Sequence, residues 1–132
     1  MLFRSDDFAE ALAGLGLPGV YFRSCVFVPT FQKHAGQACG GVQIHVTDRQ
    51  AFEPVSAGIA VVKTAFDMYG DRFRWKEPPY EYEYDRNPFD LISGTSKVRE
   101  AIERRDSLEA IQDSWVIPLE EFKLLRQQFL LY

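Results

Sequence analysis

Cysteine and histidine are scarce in this chain, two of each among 132 residues, and the scarcity disfavours several kinds of protein at once. Cys25 and Cys39 are too few for a disulfide framework, and they fall on opposite limbs of a predicted hairpin without being obvious cross-strand partners. Both read as small residues turned inward. His34 and His45 lie eleven residues apart with no third ligand nearby, which is a weak basis for a metal centre; no metal and no cofactor is expected. Clusters of Lys and Arg are missing too. With 15 basic residues against 19 acidic ones and a net charge of −4, no stretch is dense enough to track a phosphate backbone, so nucleic acid is disfavoured as a partner. No apolar run approaches the ~20 residues of a membrane span. The opening Met-Leu-Phe-Arg-Ser-Asp-Asp brings in acids where a secretory signal needs an uninterrupted apolar stretch. The chain therefore reads as soluble, with no membrane partner, no address of its own and no compartment assigned.

What is present is core material. Apolar residues make up 46% and aromatics 14%, with eleven Phe and six Tyr. A chain of this length buries roughly two-thirds of its unfolded surface as one domain and needs no staple. A single domain over residues 1–132 is expected, without repeats or linkers. Ser5 is placed to cap a first helix, with Asp6 and Asp7 at its positive end and Phe8, Leu12 and Leu15 as its apolar stripe; Gly14, Gly16 and Pro18 stop it. The run Val-Tyr-Phe-Arg-Ser-Cys-Val-Phe-Val at 20–28 is apolar enough to predict a strand in the middle of a sheet, covered on much of both faces.

From Val42 to Val46 apolar residues alternate strictly, which predicts a returning strand over 41–47 and an antiparallel hairpin. At Asp48 the period changes. Val55, Ile59, Val62, Phe66 and Tyr69 recur at helical spacing, so a long helix over 53–69 should cover the sheet, ending at Gly70. Tyr80, Tyr82 and Tyr84 alternate with Glu81 and Glu83 as a short edge strand would, behind Pro78 and Pro79. The last third is helical. Phe89, Leu91 and Ile92 make a turn closed by Ser93-Gly94, Thr95 or Ser96 caps a helix containing Val98, Ala101 and Ile102, and Ser107 caps the next one. Pro118 opens a final helix whose Leu119, Phe122, Leu125 and Phe129 should face the core. The fold class is α+β, a small antiparallel sheet built on a central hairpin, covered by one long helix, with a helical C-terminal third.

The stretch from Phe27 to Val46 holds both histidines and three glycines, and loops such as its connection carry binding groups more often than strands do. Lys33, His34 and the outward positions Gln43 and His45 are the first candidates for function. No reaction is specified by their spacing. A His34–Cys39 thiol dyad has no supporting signature around Cys39. The carboxylates Glu81, Glu83, Asp85 and Asp90 include pairs of the kind a glycosidase uses, but alternating strand charges are more often simply solvated.

The segments Pro29-Thr30-Phe31, Lys33-His34-Ala35-Gly36, Cys39-Gly40-Gly41-Val42-Gln43-Ile44-His45-Val46-Thr47-Asp48, Asp85-Arg86, Phe89-Asp90-Leu91-Ile92-Ser93-Gly94 and the closing Leu130-Leu131-Tyr132 resemble one bacterial family, the exo-β-N-acetylmuramidases (NamZ-type), long catalogued as a domain of unknown function. The resemblance runs from about Phe8 to Tyr132. It implies the smaller, C-terminal part of a two-domain glycoside hydrolase, whose larger Rossmann-like N-terminal domain carries the catalytic acids. That N-terminal half is absent here, so no catalytic residue is assigned and the chain is expected to be inactive alone.

The implied role is accessory, in peptidoglycan recycling at the bacterial cell wall: closing a cleft around a terminal N-acetylmuramic acid residue or muropeptide beside a catalytic domain in cis. Substrate-binding candidates are Lys33, His34, Gln43, His45, Tyr80, Tyr82 and Arg86, the cations for the lactyl carboxylate and the tyrosines for the pyranose face. The alternatives are a small protein-interaction module without a sugar role, or an independent hydrolase working from Glu81, Asp85 or His34.

Overall fold

The computed structural model describes residues 4–131; Met1–Phe3 of the N-terminal run and Tyr132 of the closing Leu-Leu-Tyr lie outside the described residues. The fold is α+β, and the chain divides into two compact units, Met1–Phe73 and Arg74–Tyr132. The first holds α1 (Ser5–Ala13), β1 (Val20–Phe27), β2 (Cys39–Val46) and α2 (Pro54–Tyr69). The second holds α3 (Pro88–Ser93), α4 (Lys97–Glu103), α5 (Leu108–Asp113) and α6 (Val116–Arg126).

In the first unit β1 and β2 pair antiparallel from Val20 opposite Val46 to Phe27 opposite Cys39, within two residues of the predicted hairpin. Because the period of a strand is two, Phe22 is buried while Tyr21, Arg23 and Phe27 are exposed on the other face. The expected central strand is not found. Among the described residues the sheet has two strands, so both are edges, and even on the inner face cover runs out toward the loop, where Val26 is 60% exposed. A continuous apolar run marks a strand that needs covering; it does not reveal whether the cover belongs to the same stretch of chain.

Helix α1 packs against both strands and against α2. Its buried residues are Ser5, Phe8 and Leu12. Ser5 is not the cap: Arg4 occupies that position, without a side-chain hydrogen bond to the helix end, and Ser5 is the first helical residue. Leu15 falls beyond the helix end and is exposed. The buried side of α2 is also turned from the predicted stripe. Ser56, Ala57, Ile59, Ala60 and Thr64 are buried, Val62 and Phe66 are half-buried, and Val55 is 66% exposed. The reason is steric: a helix lined with small residues lets a neighbouring backbone come close, so the side facing α1 need not be the side with the largest aliphatic groups. The Ser56 hydroxyl donates to a Glu53 carboxylate oxygen at 3.0 Å, which satisfies it in its half-dry setting.

In the second unit Asn87 and Pro88 start α3: the Asn87 side chain accepts from the Phe89 amide at 2.9 Å, and proline occupies a first-turn position where no amide is needed. Gly94, at φ 72°, closes it in the left-handed region. Thr95 Oγ1 accepts from the Lys97 amide at 3.2 Å, and Ser107 Oγ from the Ala110 amide at 3.1 Å. Thr95 and Ser107 thus do what their positions predict. Arg99 joins α4 to α3 by two parallel hydrogen bonds of 2.9 Å to Asp90 and also reaches Glu103. Val98, Ala101, Ile102 and Ile111 are buried.

The final helix departs from expectation. No residue of α6 is buried; Phe122 is 56% exposed, and Phe129 just beyond the helix is 75% exposed. The apolar spacing is real, but an amphipathic stripe is buried only if something lies against it.

Candidate functional site

Eleven residues separate β1 from β2, and from Thr30 to Ala38 they are all exposed. This loop is held by its own backbone: the Gly36 amide donates to the Pro29 carbonyl at 2.8 Å, and the Gln37 amide to the His34 carbonyl at 3.0 Å. Gln32 and His34 both adopt φ 60°, a left-handed conformation costing roughly 1–2 kcal/mol for a residue with a side chain. Strain of that kind persists where the surroundings impose one conformation, and it concentrates at sites that bind. Lys33 and His34 therefore stand together at an exposed turn.

Gln43 and His45 lie elsewhere, on the outer face of β2. Strand rise puts them about 14 and 20 Å along the sheet from Cys39, where the loop ends. His45 lies opposite Tyr21, their rings 6.3 Å apart and inclined at 49°. Arg23 lies opposite Gln43 and donates through Nη2 to its Oε1. The Phe27 ring crosses the sheet to cover Gly41, whose missing side chain makes the room: a Cβ there would stand 3.1 Å from Phe27 Cε1. The outer face thus presents tyrosine, arginine, glutamine and histidine in two adjacent cross-strand pairs. Sequence reasoning misses Arg23, because a strand assumed to be covered on both sides hides its polar members.

Tyr80, Tyr82 and Arg86 belong to the second unit. The predicted edge strand is instead a two-residue turn, in which the Tyr80 amide donates to the Glu83 carbonyl at 2.9 Å and the Glu83 amide returns the bond at 3.0 Å. Glu81 and Tyr82 form its tip, Glu81 at φ 52° and Tyr82 at 92% exposure. Alternation in sequence thus does not put the tyrosines on one strand face; the reversal at the tip intervenes. The Lys76 ammonium lies 5.5 Å from the centre of the Tyr80 ring. Arg86 is already engaged, its Nε and Nη2 donating to Glu83 Oε2 at 3.1 and 2.9 Å.

The amide of Asp85, then the Arg86 side chain, hold the Glu83 carboxyl below its ordinary value of 4.5. Hydrogen bonds to the ionised form favour ionisation. A depressed carboxylate stabilises the folded turn at pH above its unfolded value, and that contribution is lost as pH falls through the folded value. Acidification should therefore release the Asp85 and Arg86 amides with a midpoint under 4.5; an NMR titration reads it, and Glu83→Gln should abolish the transition. A midpoint at or above the ordinary value would mean that these bonds do not hold the ionised form.

The other chemical readings find little support in the geometry. The Cys39 thiol points to the Gln37 carbonyl at 3.6 Å, and both cysteines are free. Among the described residues no three His, Cys, Asp or Glu side chains converge as metal ligands, and no helix is long and apolar enough to cross a membrane. Glu83 and Asp90 are both in ion pairs with arginine.

Comparison with known proteins identifies the family. The sequence model described as "Exo-beta-N-acetylmuramidase NamZ, C-terminal" matches residues 2–132. The chain belongs to this NamZ C-terminal family. It is 39% identical over 130 residues to the peptidoglycan beta-N-acetylmuramidase NamZ of Bacillus subtilis (strain 168), a match covering 98% of this chain and 29% of that relative. Among solved structures it is similar to a DUF1343 family protein from Bacteroides fragilis, with a TM-score of 0.77 and 26% identity over 98% of this chain and 33% of the other. The resemblance carried by the Cys39–Asp48 string and its companions is borne out, as is the α+β fold. The chain spans less than a third of the length of the NamZ relative.

Proposed function

We propose that this chain is the cleft-closing accessory domain of a NamZ-type exo-β-N-acetylmuramidase. In this reading it binds the terminal N-acetylmuramic acid of a peptidoglycan fragment, while carboxylates from an N-terminal Rossmann-like domain in cis cleave the bond. The observation that carries it is the match itself: end to end on this chain, C-terminal by family, and 29% of a relative named as a peptidoglycan beta-N-acetylmuramidase. A glycosidase needs an acid and a second carboxylate facing one bond, and two of the four candidate carboxylates, Glu83 and Asp90, are in ion pairs with arginine. The binding residues in this reading are, within the first unit, Lys33, His34, Gln43 and His45 of the hairpin and, separately within the second, Tyr80, Tyr82 and Arg86 of the turn. Chemically they are cations, amide and imidazole donors and flat phenols, suited to an acidic amino sugar.

The bare side of α6 favours protein contact as well. The occupant consistent with the match is the rest of the same polypeptide, which in the Bacillus relative is the larger share. The purified chain should then sediment as a monomer, leave a chromogenic β-N-acetylmuramide intact, and bind N-acetylmuramic acid in preference to N-acetylglucosamine. Turnover that disappears in Glu81→Gln or Asp85→Asn would replace this reading with an independent hydrolase, and a stable dimer would give α6 to a second copy.

A further inference from the structure

From Ala11 to Thr47 the chain contains no Asp or Glu, although 19 acids occur in the whole. That stretch supplies both strands and the loop between them, and it carries Arg23, Lys33, His34 and His45. The hairpin is thus a carboxylate-free surface on a molecule of net charge −4. Arg23 stands within it as an exposed guanidinium whose hydrogen bond goes to a neutral amide, Gln43 Oε1, and no carboxylate among the described residues lies within ion-pair distance of it. Arg86, by contrast, is matched to Glu83.

We propose that Arg23, oriented by Gln43 and flanked by Tyr21 and His45, is the residue that reads the carboxylate of the bound sugar. The assignment deepens the muramic acid reading above and rests on it. A guanidinium offers five N–H donors in a planar fork that fits a carboxylate with two parallel bonds. The cross-strand bond takes one of the two Nη2 hydrogens, so one fork of the guanidinium, formed by the other Nη2 hydrogen and its neighbouring N–H, stays open to a ligand. Because Gln43 accepts through Oε1, its NH2 group remains a further donor. Tyr21 lies next to Arg23 on the same face, and the tilted Tyr21–His45 pair supplies an apolar plane with a hydroxyl at its edge, as a pyranose ring requires. N-acetylmuramic acid differs from N-acetylglucosamine by its lactyl group, so a forked cation distinguishes the two where the shared acetamido group does not.

The test uses the 132-residue chain labelled with nitrogen-15. N-acetylmuramic acid should shift the Arg23 Nε–H and Gln43 side-chain amide resonances saturably, and N-acetylglucosamine should not move Arg23. Arg23→Gln should weaken N-acetylmuramic acid binding about 10- to 100-fold, the loss of one charge-assisted contact, and leave N-acetylglucosamine unchanged. Arg23→Lys, which keeps the charge without the fork, should fall between. If Arg23→Gln retains the preference while Lys33→Ala loses it, the carboxylate is read from the loop and the Arg23 assignment is wrong. If D-lactate binds as tightly as N-acetylmuramic acid, the face is a general carboxylate site and the sugar assignment fails. A wild-type chain that does not separate the two sugars would sink the sugar-binding reading itself, an outcome distinct from failure of Arg23 alone.

Discussion

Gly19→Ala is expected to destabilise the first unit by on the order of 3 kcal/mol or more, adding the cost of a left-handed alanine to that of a backbone overlap. Gly19 sits just before β1 at φ +67°, and a Cβ there would fall 2.5 Å from the Asp48 carbonyl oxygen and 2.7 Å from the Phe52 nitrogen. Both neighbours are fixed. The Gly19 carbonyl accepts from the Thr47 and Asp48 amides at 2.9 and 3.3 Å, tying the start of β1 to the end of β2. Asp48 in turn caps the following turn, its Oδ1 accepting from the Gln50 amide at 2.8 Å, while the Phe52 amide donates to its carbonyl at 3.0 Å. The added methyl group meets main chain on both sides, so relief requires the turn to move and the hairpin end to open. Urea unfolding reads the loss, and Gly16→Ala is the control: also at positive φ, but with nothing within 4 Å of its Cβ, it should cost only the conformational part. Equal losses at the two glycines would mean that the close approach at Gly19 carries no weight.

Leu12→Ala should cost about 2–5 kcal/mol, the range for truncating a fully buried leucine. Leu12 has no exposed surface and lies on α1, the helix that packs against β1, β2 and α2 together. A cavity there removes contacts that no single neighbour can collapse to replace. Phe122→Ala makes the opposing case. Its position in the repeating apolar pattern of α6 resembles that of a core residue, yet it is more than half exposed, so truncation in this chain should change stability by no more than about 0.5 kcal/mol. Chemical denaturation of the two variants side by side decides the matter. A core-sized loss at Phe122 would show that α6 is packed within the chain after all, and the case for a partner on that face would fall with it.

The Arg23 face and the Tyr80–Glu83 turn illustrate how far a site is legible before a fold is known. Lys33 and His34 are recognisable because a polar, glycine-bearing stretch between two apolar runs reads as a loop. Gln43 and His45 are recognisable as the outward members of an alternating strand. Arg23 occupies the matching outward position on β1, but the apolar run around it suggests cover on both faces and so conceals it. The acid-free stretch from Ala11 to Thr47 is a usable signal for it. Tyr82 and Arg86 are legible as exposed polar groups, but their geometry depends on a reversal that Glu81 and Tyr82 do not announce by composition.

By itself the sequence determined the order and kind of the main elements. Hydrophobic periods of two and 3.6, with glycine and proline at the breaks, are local properties of the backbone, and β1, β2, α2 and the capped helices of the second unit follow from them. It also determined family membership, through a long specific string around Cys39–Asp48. Only the tertiary structure decided which of several apolar faces is buried. Burial belongs to pairs of surfaces: the small-residue side of α2 is covered where α1 packs against it, whereas no residue of α6 is buried. The pairing of Arg23 with Gln43 is of the same kind, since strand register brings together residues that are twenty positions apart in the chain, and no local pattern encodes that distance.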